Sequence, residues 1–102
     1  MQITSKAETY IGFSIKSGKI VWGVDNVIGC RVAPKLIIIS NTLGENSENK
    51  LLSYARTKGI KVLKLINGRL EDVVRKRNCK VIGLTDVHLA QAVIDNSQGW
   101  AE

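Results

Sequence analysis

Leu36-Ile37-Ile38-Ile39-Ser40 is a run of branched aliphatic residues with no polar alternation. A half-buried strand alternates apolar and polar residues. A run without alternation therefore predicts a strand covered on both faces, with helices packed on either side of its sheet. Pro34 must stop any helix that precedes the run, and Asn41 to Glu45 is a polar loop after it. Residues 36–40 are accordingly expected at the centre of the sheet.

On the N-terminal side, Ala7, Ile11 and Ile15, joined by Tyr10 and Ser14, recur at three- and four-residue steps. This predicts a helix over 4–15, capped by Thr4 or Ser5 and ended by Gly18. Lys19 to Trp22 is a short strand, Gly23 a turn, and Val24, Val27, Ile28 and Arg31 share one face of a second helix. Gly29 inside that helix would cost about 1 kcal/mol relative to alanine.

On the C-terminal side, Asn46 or Ser47 is the expected cap of a helix with Glu48, Leu51, Leu52 and Ala55 inward, closed by Lys58 and Gly59. A third strand follows over 60–66, with Val62, Leu63 and Leu65 set among Lys61 and Lys64, and Asn67-Gly68 turns the chain. A short helix from Arg69 to about Lys76 buries Leu70, Val73 and Val74, and Lys80 to Leu84 is the fourth strand. Thr85 or Asp86 caps a last helix with Leu89, Ala92 and Val93 inward. Alternating strands and helices predict an α/β protein, a three-layer α/β/α sandwich around a four-stranded mixed sheet. Residues 1–95 form its single domain, and 96–102, which lack periodicity, a loosely held C-terminal tail.

A chain of 102 residues can bury one modest core. Its longest apolar run is far short of a membrane span of about 20 residues. The start, Met-Gln-Ile-Thr-Ser-Lys, lacks a signal peptide's apolar segment. A cytoplasmic location, with no membrane partner, is the expectation. Cys30 and Cys79 stand far apart and outside any CxxC pair, so both are expected to be free buried thiols. The net charge of +6 and pI near 9.6 favour a polyanionic partner, nucleic acid above membrane.

No Walker loop, GxGxxG, HExxH or GxSxG is present, and His88 is the one histidine. Glu71-Asp72 lies in a helix first turn, where carboxylates favour the macrodipole. No enzyme activity, catalytic residue, metal, cofactor or small-molecule substrate is expected. The densest basic cluster, Arg75-Lys76-Arg77-Asn78-Cys79-Lys80, suits phosphate contact: arginine offers a planar fork and lysine a point charge. Trp22 stands just before the turn glycine, as either a core residue at the strand end or a stacking surface. The strand–glycine–helix stretch from Ser17 to Arg31 is the expected site.

The runs Gly12-Phe13-Ser14-Ile15-Lys16-Ser17-Gly18-Lys19, Gly23-Val24-Asp25, Lys35-Leu36-Ile37-Ile38-Ile39-Ser40 and Val81-Ile82-Gly83-Leu84-Thr85-Asp86 occur in an order and spacing that resemble the ribosomal-protein superfamily of kink-turn RNA binders. This is the L-seven-Ae family, and the likeness is greatest to its small bacterial YlxQ-like branch. It spans about residues 9–94. The resemblance implies an α/β/α sandwich that binds structured RNA, ribosomal or a related non-coding RNA, without chemistry on it. In RNA-binding members the turn glycine is followed by an Asn-Glu pair and a later lysine, which with backbone amides meet sheared purine pairs and phosphates. The matching positions here are Gly23, Asp25, Asn26 and Gly29, of which the glycine alone is kept. Asp25, once ionised, only accepts hydrogen bonds and repels phosphate, Asn26 is shorter than glutamate, and Gly29 removes a cation. The resemblance also turns the loop before the fourth strand, here the basic cluster, toward RNA.

The expected RNA-binding residues are therefore Lys19, Gly23, Asp25, Asn26 and Arg31 around the turn, with Arg75, Lys76, Arg77 and Lys80 in the neighbouring loop. The alternative is a protein-interaction module on the same fold whose RNA site has decayed, with protein partners in place of RNA.

Overall fold

The computed structural model describes residues 2–3, 5–65 and 70–98. Four strands form the main sheet: β2 (Ile20–Trp22), β3 (Leu36–Ile39), β4 (Lys61–Lys64) and β5 (Val81–Leu84). Their spatial order is β2-β5-β3-β4. β5 runs antiparallel to both β2 and β3, while β3 and β4 are parallel, so the sheet is mixed, as expected. All four residues of β3 are at most 1% exposed, which agrees with the interior place that their sequence predicts.

The alternating sides of the strands feed two cores. On one face Leu36, Ile38, Leu63, Ile82 and Leu84 pack with α1 (Ser5–Lys16), α4 (Leu70–Val74) and α5 (Val87–Asp95). On the other, Ile37, Ile39, Val62 and Val81 pack with α2 (Val24–Ile28) and α3 (Glu45–Lys58). Three layers result.

Within α1, Ala7, Ile11 and Ser14 are fully buried, and Tyr10 and Ile15 flank them. The Ser14 hydroxyl donates to the Tyr10 carbonyl (3.1 Å), so its burial leaves no orphaned oxygen. Gly18, at φ 72°, turns the chain out of this helix while Lys19 N–H donates back to Ser14 O (2.9 Å). Thr4, one of the two expected caps, lies outside the described residues, and Ser5 is already helical.

Several boundaries depart from the sequence reading. α2 ends at Ile28, so Gly29 is its C-terminal cap and carries no interior-glycine penalty, and Arg31 lies beyond the helix. A Cβ on Gly29 would stand 3.1 Å from the Asp25 carbonyl oxygen, which already accepts the Gly29 N–H at 2.8 Å; glycine permits that closing turn. α3 begins at Glu45, with Gly44 before it and no side-chain cap, so Asn46 and Ser47 fall inside its first turn. The loop ahead of it is tied by a hydroxyl turn: Thr42 N–H donates to Ser40 Oγ (3.2 Å), and the two hydroxyls pair at 2.8 Å. Gly59, left-handed at φ 69°, closes α3, with Ile60 N–H donating to Ala55 O (2.8 Å). Leu51 and Ala55 form its buried stripe, Leu52 is half-buried, and Glu48 pairs with Lys64 at 2.8 Å.

α4 ends at Val74 rather than near Lys76, because Arg75 is left-handed (φ 57°) and breaks the helical path. Leu70 and Val74 are buried and Val73 is half-buried. In α5 the deepest residues are Ala90 and Val93, with Leu89 and Ala92 at the margin. Asp86 caps it as one of the two expected candidates, accepting from His88 N–H (2.8 Å) and Leu89 N–H (3.0 Å). Beyond α5 the aperiodic stretch does not hang free throughout: β6 (Ser97–Gln98) pairs antiparallel with β1 (Gln2–Ile3). A two-residue pairing leaves no period to read. Ile66, the expected Asn67-Gly68 turn, Arg69 and residues 99–102 lie outside the described residues.

Candidate nucleic-acid interface

Trp22 is the last residue of β2 and pairs with Ile82 near the start of β5. Gly23 then takes φ 88°, ψ 160°, a region open in practice to glycine alone, and its N–H donates to Val81 O (3.0 Å). The glycine ends the strand and starts α2 within one residue. Asn26, in the first turn of α2, donates its side-chain amide back to the Trp22 carbonyl (2.8 Å). The backbone at Trp22 is thus held by its strand partner on one side and by Asn26 on the other. Asp25 projects into solvent with its side chain 94% exposed, and its carboxylate lies 3.7 Å from Lys50 on α3. An exposed pair of this kind contributes about 0–1 kcal/mol.

The basic loop enters the sheet at the same end. Lys80 immediately precedes β5, and its carbonyl accepts the Ser40 N–H (2.8 Å) at the end of β3. Between α4 and β5 the chain makes tight turns through Arg75 and Asn78, both left-handed. Glu71 fastens them by accepting the Asn78 N–H (2.9 Å), a structural use for one of the paired carboxylates. Arg75, Lys76, Arg77 and Lys80 are all exposed. The Lys76 ammonium lies over the Trp22 ring, 4.2 Å from its centroid, so the loop and the glycine turn touch.

The remaining expected residues are elsewhere. Lys19 lies at the opposite end of β2, beside Asp86 (3.9 Å), with its carbonyl accepting Thr85 N–H (3.2 Å). Arg31 is exposed in the segment leading to Lys35, whose N–H donates to Leu84 O (2.7 Å), also at the far end of β5. Arg75 faces the open groove between α1 and α4, with Gly12 and Lys16. The structure brings together Gly23, Asp25, Asn26, Lys76 and Lys80, with Arg77 exposed in the same loop, and separates Lys19 from them, while Arg31 follows α2 in the segment that leads to the far end of β5.

Two titrating groups are perturbed. Asp86 is held below the usual carboxylate range, first by the Leu89 N–H it accepts and further by His88 N–H and Lys19. Burial pushes the Cys79 thiol up, and its S–H donates to Val81 O (3.8 Å). Cys30 is free but half-buried, which corrects the expectation that both thiols are buried. Among the described residues no group of three or more His, Cys, Asp or Glu side chains is placed to hold a metal ion, and no helix is long and apolar enough to cross a membrane.

The Lys76–Trp22 contact was not legible in the chain. The sequence leaves Trp22 open between a core residue and a stacking surface; in the structure it is half-buried, packed on the α1/α4/α5 core while carrying Lys76 on its ring. A tryptophan immediately before a turn glycine is the one local signal. Its partner comes so much later in sequence that no spacing rule joins them.

No protein-family model matches this chain, and no curated protein matches it. A solved structure, described as that of a protein with unknown function from Bacillus halodurans, is similar with a TM-score of 0.80 at 22% identity. The likeness covers 90% of this chain and 96% of that one. At such identity it shows a shared fold across nearly the whole domain.

Proposed function

We propose that this protein binds structured RNA, without acting on it chemically, at the end of the sheet where Trp22-Gly23 meets the loop from Arg75 to Lys80. The observation that carries this reading is the Lys76–Trp22 contact, which joins the densest basic loop of a chain with net charge +6 to the glycine turn. Lys76, Arg77 and Lys80 supply phosphate contacts that add affinity without sequence demands. Asn26 uses one amide hydrogen on the Trp22 carbonyl and keeps its oxygen and second hydrogen for a purine edge. Asp25, paired with Lys50, repels phosphate less than a lone carboxylate would. The resemblance to kink-turn binders supports a ribosome-associated, cytoplasmic role for the complex, with ribosomal or related non-coding RNA as the partner.

The test is titration of a labelled kink-turn RNA and an unrelated duplex at about 50 mM and about 200 mM salt. Tighter binding of the kink-turn RNA, falling steeply with salt, is the expected result. A folded protein with no RNA affinity at the lower salt overturns the proposal. It would favour a protein-interaction module instead, for which the half-exposed Phe13, edge-on to Tyr10 (6.1 Å between centroids), is the supporting observation.

A further inference from the structure

Trp22 is an unusual residue for the place it occupies. It ends an edge strand, its backbone is fixed by the Ile82 pairing and the Asn26 amide, and part of its ring is lodged against the core. The ring is thereby held in one orientation, with little of the rotamer freedom that an exposed tryptophan would lose on binding. Its ring lies under a single ammonium, Lys76, at 4.2 Å. Lys76 itself is solvent-exposed, on a loop whose anchors are backbone turns and Glu71 rather than its own side chain.

We infer that the Trp22 ring is a stacking platform for one unpaired nucleobase of the bound RNA, with Lys76 as a displaceable cover that moves from the ring to the phosphate of the same nucleotide. The inference rests on the RNA-binding reading and assigns it a specific contact. The ammonium of an exposed lysine over a half-buried indole is a modest contact, whereas a base covering the same face removes apolar area from both partners and stacks ring on ring. The exchange also keeps the lysine's charge in use: the flexible four-carbon stem lets the ammonium leave the indole without any change in the loop backbone. With the cover in place the free protein does not present a bare tryptophan to other apolar surfaces. Stacking tolerates any base, so this contact adds affinity for an unpaired nucleotide at a fixed distance from the phosphates bound by Arg77 and Lys80, rather than sequence preference.

The experiment uses the full chain carrying Trp100→Phe, so that Trp22 is its sole tryptophan. The probes are a kink-turn RNA and versions in which each unpaired nucleotide in turn is made abasic. Binding is followed by anisotropy of the labelled RNA and, separately, by Trp22 emission. Expected are quenching of Trp22 by the intact RNA and a loss of about tenfold in affinity at one abasic position. That loss should disappear in a Trp22→Leu background, which retains an apolar side chain against the core, and persist in Trp22→Phe; thermal melts confirm that both variants fold. RNA bound with Trp22 emission unchanged and no abasic position penalised overturns the stacking contact while leaving RNA binding intact. No binding of any RNA overturns both.

Discussion

Gly83 on β5 lies against Pro34: a Cβ added there would stand 2.9 Å from Pro34 Cγ, 3.0 Å from Pro34 Cβ and 3.3 Å from Val27 Cγ2. Both neighbours are buried, and the proline ring cannot rotate away. The absent side chain is what lets α2 and the segment after it sit directly on the centre of the sheet. Gly83→Ala should therefore lower stability by about 1–3 kcal/mol, as overpacking of a dense core does, measured by denaturant unfolding. Unchanged stability would mean that the α2 connection is loosely seated.

Gly23 and Gly12 both face open space, yet alanine should act in opposite directions at the two positions. Gly23→Ala forces a side chain onto φ 88°, and should destabilise by about 1–3 kcal/mol. Gly12→Ala replaces a glycine inside α1 and should stabilise by up to about 1 kcal/mol. Thermal unfolding of the two variants beside the parent reads both signs at once.

Asp86 gives the acid side of the stability profile a specific contributor. Its carboxylate is favoured by the Leu89 and His88 N–H groups and by Lys19, so its folded pKa lies below its unfolded one. The stability it contributes is present above the ordinary carboxylate pKa and is lost as pH falls through the depressed folded value. Asp86→Asn keeps an oxygen for capping but does not titrate. Comparing thermal midpoints across pH, the parent should exceed the variant at neutral pH, and the gap should close in acid. A gap independent of pH would assign the cap to hydrogen bonding alone.

The two thiols should differ in reactivity. Cys79 is 7% exposed with its thiol pushed up by burial, while Cys30 is half-buried after α2. A thiol reagent at about pH 8 should label Cys30 quickly and Cys79 only as the protein opens, since the thiolate is the reacting form. Cys30→Ser should abolish the fast phase. Equal rates at the two sites would contradict the packing around Cys79.

Much of this architecture was written in local pattern. Residues 36–39 carry the signature of a strand buried on both faces, Ala7-Ile11-Ser14 that of an inward helix stripe, and Lys58-Gly59 and Asp86 mark helix ends by chemistry that acts within one turn. The elements that depart from that pattern share a different origin. α4 stops at Val74 because Arg75 turns left-handed, and α2 stops at Ile28 with Gly29 as its cap, backbone choices that a helical spacing of side chains does not encode. α3 starts early, at Glu45, where Glu48 N–H donates to Gly44 O and no side-chain cap marks the start in the sequence. The candidate site was legible as a place, since Gly23 has the turn its sequence implies, but not as a set. Lys19 is close to Gly23 in the chain and lies at the other end of β2, and Arg31 falls in the segment leading to Lys35 at the far end of β5, whereas Lys76 is remote in the chain and touches Trp22. Strand direction, which no local pattern encodes, decides both.

That separation supplies the most direct test of RNA binding at the Trp22-Gly23 end. The affinity for a kink-turn RNA should be measured as a function of salt for the parent, for Lys76→Ala, Arg77→Ala and Lys80→Ala combined, and for Lys19→Ala and Arg31→Ala combined, with folding checked in each. Each phosphate contact removed flattens the salt dependence by about 0.7–0.9 logarithmic units per decade. The triple variant should bind more weakly, with a slope shallower by about 2, while the double variant keeps the parent slope. Equal slopes in parent and triple variant, or the loss falling on the double variant instead, would contradict the site.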